Sequence, residues 1–116
     1  MDNKELVINA FWCQIEKAEN VVVEKDHIHT RGHLNLIFSE RVVKQDVKRW
    51  WGVDKGVVVG TSFDLFFKLK TESDTFIVTI RKDKEPELFE ANLKRMQEFR
   101  AKKQLEKIER LKALIC

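Results

Sequence analysis

Two alternating runs between residues 63 and 81 constrain this chain more than anything else in it. Phe63, Leu65, Phe67 and Leu69 alternate with Asp64, Lys68 and Lys70; after Thr71-Glu72-Ser73-Asp74, Phe76, Val78 and Ile80 alternate with Thr75, Thr79 and Arg81. Successive side chains of a strand point to opposite faces, so the pattern predicts an antiparallel hairpin with one covered and one wet face. Phe66 and Ile77 break the wet phase. Two strands alone are marginal in water, so other segments must extend the sheet and cover it.

Leu6 to Ile15 (LVINAFWCQI) is apolar in both alternating phases and rich in β-branched and aromatic residues. It predicts a strand buried on both sides, with Cys13 an inert buried thiol. Val21 to His29 and His33 to Phe38 predict a second antiparallel pair, turning at Thr30-Arg31-Gly32 with His29 opposite His33. A short strand is expected at Val57 to Val59. Ser39 and Glu40 at one end, and Lys48, Arg49 and Gly52 at the other, punctuate an amphipathic helix over about residues 40–51, with Val43, Val47, Trp50 and Trp51 on one face.

From Pro86 onward the chain contains no further proline and no glycine. Proline favours the first helical position, and Glu85, Glu87 and Glu90 suit the positive end of a helix dipole. A helix over about residues 86–115 would be roughly 40 Å long by its rise. Phe89, Leu93, Met96 and Phe99 would dock on the sheet; the large apolar side chains then stop, resuming at Leu105, Ile108, Leu111, Leu114 and Ile115. The fold expected is α+β: a mainly antiparallel sheet of about five to six strands, the short helix at 40–51 and the long C-terminal helix. Residues 1–99 would form the compact domain, and residues 100–116 the basic projecting end of the helix.

Composition narrows the functional classes. A chain of 116 residues, 43% of them apolar, can bury one core without a structural metal or disulfide. Its 22 Lys and Arg exceed its 19 Asp and Glu by three. Residues 100–116 alone hold six cations against Glu106 and Glu109, a surplus of four, which leaves the preceding residues close to neutral. Attraction to phosphate or to an acidic partner should therefore concentrate at the C-terminal end. Cys13 and Cys116 are expected as free thiols in a reducing compartment, and Met-Asp-Asn-Lys-Glu does not begin a secretory signal. No apolar run approaches the ~20 residues of a membrane span. A cytoplasmic protein without membrane association is expected. The chain has no tyrosine, which excludes every mechanism that needs a phenol.

His27, His29 and His33 are the only histidines. With His29 paired to His33, all three would share one face at spacings that can ligate zinc. His27-Ile28-His29, followed by HLNLIF and by a helix ending KRWWG, resembles the His-hydrophobic-His motif of rolling-circle replication initiators over Asp26 to Gly52. Those enzymes cut DNA with a tyrosine, so the resemblance implies at most a relative that does not cleave. Phe66 with Lys68 and Lys70, and the outward one of Trp50 and Trp51, could offer rings for stacking beside cations. The scattered glycines match no phosphate-binding loop, and no cofactor is expected.

Three functional readings follow. First is a non-catalytic interaction protein that forms a homo-oligomer or grips a protein partner through Leu105, Ile108, Leu111, Leu114 and Ile115; the alternative for that stripe is a helix folded back on its own domain. Second is nucleic-acid binding through Arg41, Lys44, Lys48 and Arg49 together with Arg100, Lys102, Lys103, Lys107 and Arg110. Third is a metal-dependent hydrolase or nuclease built on His27, His29 and His33.

Overall fold

The computed structural model describes residues 3–18, 21–26, 33–38 and 55–115. Helix α1 (Asn3–Lys17) precedes strands β1 (Val21–Asp26), β2 (His33–Phe38), β3 (Gly56–Gly60), β4 (Asp64–Lys70) and β5 (Thr75–Arg81), and α2 (Pro86–Lys112) follows. β3, β4 and β5 form a three-stranded antiparallel sheet, which the β1–β2 hairpin extends to the order β1-β2-β3-β4-β5. Each strand pairs with its neighbour in sequence.

This inventory corrects the expected one at the N-terminus. The segment Leu6 to Ile15 belongs to α1, so the expectation of five to six strands included an element that lies outside the sheet. Ile8, Phe11, Trp12 and Ile15 are the buried residues. They include both odd and even positions, which a strand would send to opposite faces, whereas spacings of three and four set all of them on one side of a helix. Leu6 and Cys13 fall on the other side and are exposed, so Cys13 is not the buried thiol expected. The helix expected at 40–51 lies outside the described residues.

Both helices cover the same face of the sheet. There Phe11 meets Trp12, Phe38 and Phe67 edge-on, with ring centroids 5.2–5.4 Å apart. Leu36, Val58, Leu65, Ile80, Phe89, Met96 and Phe99 complete the centre of this core. Gly56 is required by a close approach: a Cβ there would lie 2.5 Å from the ring of Phe38, its partner across the β2–β3 ladder. The missing side chain lets that ring lie over the strand.

The opposite face is less wet than alternation predicts. Val57 and Val59 are buried there, and Lys68 is only 4% exposed. Register explains the surroundings of Lys68, which sits between Val57 on β3 and Ile77 on β5. The expected Phe66, Lys68 and Lys70 surface patch is therefore corrected: Lys70 is exposed, Phe66 is half-buried, and Lys68 is enclosed. Phe63 precedes β4 and is exposed rather than part of the core.

Candidate interaction site on the C-terminal helix

Pro86 opens α2 at its first turn with Glu87 beside it. Glu85, at the cap position, makes no side-chain cap bond; its carboxylate accepts from the ammonium of Lys4, tying the start of α2 to the start of α1. Phe89, Asn92, Met96 and Phe99 form the buried stripe, with Leu93 at its margin. Asn92 was not among the residues expected to dock. Its Oδ1 accepts from Trp12 Nε1 at 2.9 Å, while its Nδ2 donates to the Leu88 carbonyl at 2.9 Å. A buried indole N–H needs a partner, and Asn92 supplies it without breaking the helix. Arg95 lies 4.9 Å over the Trp12 ring, and its guanidinium approaches Glu16 at 3.5 Å. Together these contacts fix how α2 lies across α1.

Beyond Phe99 the same helical face changes chemistry. Lys103, Lys107 and Arg110 follow Phe99 at spacings of four, four and three, so they continue the buried stripe as cations. With Arg100 they line one wall of a cleft of about 450 Å³ whose other wall carries Val21 and Val23 of β1. Lys103 stacks over Phe99 with its ammonium 5.4 Å from the ring centre and pairs with Glu106 at 3.4 Å. Among the described residues, Arg100, Lys107 and Arg110 have no ion-pair partner. Lys102 is exposed outside the cleft.

The apolar residues of this end take another direction. Leu105, Ile108, Leu111, Leu114 and Ile115 are between 47% and 81% exposed. Leu105, Ile108 and Leu111 advance in steps of three, which trail the helical repeat and carry the stripe obliquely around the axis, and Leu114 and Ile115 follow just past the end of α2. Sequence spacing identified these five residues; it did not reveal that Lys103, Lys107 and Arg110 line a cleft with β1. That signal was present as the unbroken helical period running on from Phe99.

The other expected groupings divide. Arg41, Lys44, Lys48, Arg49, Trp50 and Trp51 lie outside the described residues, as do His27 and His29. His33 begins β2 and pairs with Asp26, three positions from the His29 pairing expected. The three-histidine geometry needs His29 across from His33, and in the observed register Asp26 holds that place. Among the described residues no group of three or more His, Cys, Asp or Glu could hold a metal ion, and no helix is long and apolar enough to cross a membrane. One lysine departs from ordinary titration: burial, and secondarily the charge of Lys70, holds the Lys68 ammonium below its usual pKa. Comparison of the chain with protein-family models, curated proteins and solved structures finds no match.

Proposed function

We propose that this protein is an interaction module whose α2 end docks apolar surface on a second copy of itself. The observation carrying this reading is the exposure of Leu105, Ile108 and Leu111 along α2 and of Leu114 and Ile115 just past its end. Contiguous apolar surface of this kind marks interaction sites. A helical end without tertiary contacts is also marginal in water, and a partner laid along the stripe would stabilise it. The row of three-residue steps is inclined to the helix axis, so the partner helix crosses obliquely instead of following a long coiled coil.

Each copy brings a surplus of positive charge to the contact, which opposes association and is screened by salt. Sedimentation equilibrium is the test. The wild type should dimerise, more tightly at 0.5 M than at 0.05 M salt, and Leu105→Asp with Ile108→Asp should give a monomer. A wild type that stays monomeric at every concentration and salt would overturn the reading.

A further inference from the structure

We propose that the cleft between β1 and the second half of α2 binds the phosphate backbone of a single-stranded nucleic acid. Arg100, Lys103, Lys107 and Arg110 stand in one row on the wall facing Val21 and Val23. They span ten residues of helix, or roughly 15 Å by the helical rise. Three of the four have no ion-pair partner among the described residues, and the fourth shares its charge with Glu106. Arg100 and Lys103 are half-buried on this wall and Lys107 and Arg110 are exposed along it, so the row offers its charge to a slender polyanion lying along the cleft. Consecutive phosphates supply one negative charge per nucleotide along a chain narrow enough to enter. A duplex would meet the outer surface of α2 instead, where Lys102 stands.

Val21 and Val23 offer aliphatic surface to a sugar or base edge, and among the described residues the cleft lining contains no aromatic ring. Binding should therefore be nearly independent of sequence, because base stacking and base-edge hydrogen bonding are the usual sources of preference. This site faces away from Leu105 and Ile108, and its salt dependence has the opposite sign to that of self-association.

Fluorescence anisotropy of the full chain with labelled 12-nucleotide oligo(dT) and oligo(rU) tests the proposal. Both should bind at 0.05 M salt, with a slope of log K against log salt of about −2 to −3 for three to four contacts at −0.7 each. Lys107→Glu with Arg110→Glu should weaken binding at least about twentyfold at 0.1 M salt, which is two lost contacts at that slope. The neutral pair Lys107→Gln with Arg110→Gln should reduce the slope by about 1.4 on the same count. Lys102→Glu with Lys112→Glu makes the same charge change outside the cleft and should have a much smaller effect. Equal losses from the two charge-reversed pairs would overturn the cleft as the site. Tighter binding of a duplex, or of polyglutamate, than of the single strands would overturn the ligand class. No binding at 0.05 M salt would overturn the proposal entirely. Leu105→Asp with Ile108→Asp separates this inference from self-association: the monomer it produces should still bind oligo(dT).

Discussion

Asn92 is a polar side chain inside an apolar stripe, and its effect on stability runs through one partner. Asn92→Ala would strand the Trp12 N–H in the core, a loss of about 1–3 kcal/mol. In a Trp12→Phe background the donor is already gone, so the same substitution should cost measurably less; urea denaturation of the four proteins checks this. Lys68 yields a pH prediction. Its folded pKa lies below the unfolded value of 10.5, because burial, and then Lys70, disfavours the charged form. Below the folded pKa both states hold the proton and the full cost of enclosing the charge is present. Between the folded pKa and 10.5 the unfolded chain holds a proton that the folded chain has shed, so stability rises with pH and levels off above that window. Lys68→Met lacks this dependence. Its stability relative to wild type should fall between pH 7 and pH 10.5, and an unchanged difference would contradict the assignment.

Among the elements, α2 divides at Phe99. Its first half is held by Phe89, Asn92, Met96 and Phe99, whereas residues 104 and 105 and 107 to 115 are all exposed. Amide hydrogen exchange should show strong protection from 89 to 99 and weak protection beyond 105 at low protein concentration. Protection beyond 105 should increase with concentration if a second copy covers the stripe. Equal protection along the whole helix in a dilute sample would mean that the end needs no partner. α1 illustrates the converse lesson. Its ten apolar-rich residues fit a doubly covered strand and a helix alike, because local composition favours one and three-to-four spacing the other. Burial of Ile8, Phe11, Trp12 and Ile15 against the sheet favours the helix, an outcome of packing and not of propensity.

Across the whole molecule, the extents of 50 × 31 × 30 Å reflect one long axis. The helical rise over α2 alone, about 40 Å, accounts for most of that length. Leu105 and Ile108 lie on the side of α2 away from the cleft-facing cations, whereas Leu111 stands one turn beyond Lys107 on the same side. Salt should drive the two proposed activities in opposite directions.

The sequence by itself determined the β4–β5 hairpin, the start of α2 at Pro86 and the docking of Phe89, Met96 and Phe99. Each of these follows from a period of two or of three to four, written in consecutive residues. It also determined that the positive charge gathers beyond residue 99, which is a matter of composition. Only the tertiary structure decided that Leu6 to Ile15 is a helix, that Lys68 is enclosed, that Asp26 faces His33, and that Lys103, Lys107 and Arg110 look toward β1. Those outcomes depend on which surfaces meet across distant parts of the chain. A residue's neighbours in sequence set its phase on a helix or strand, but the element packed opposite sets whether that phase is core, cleft or solvent.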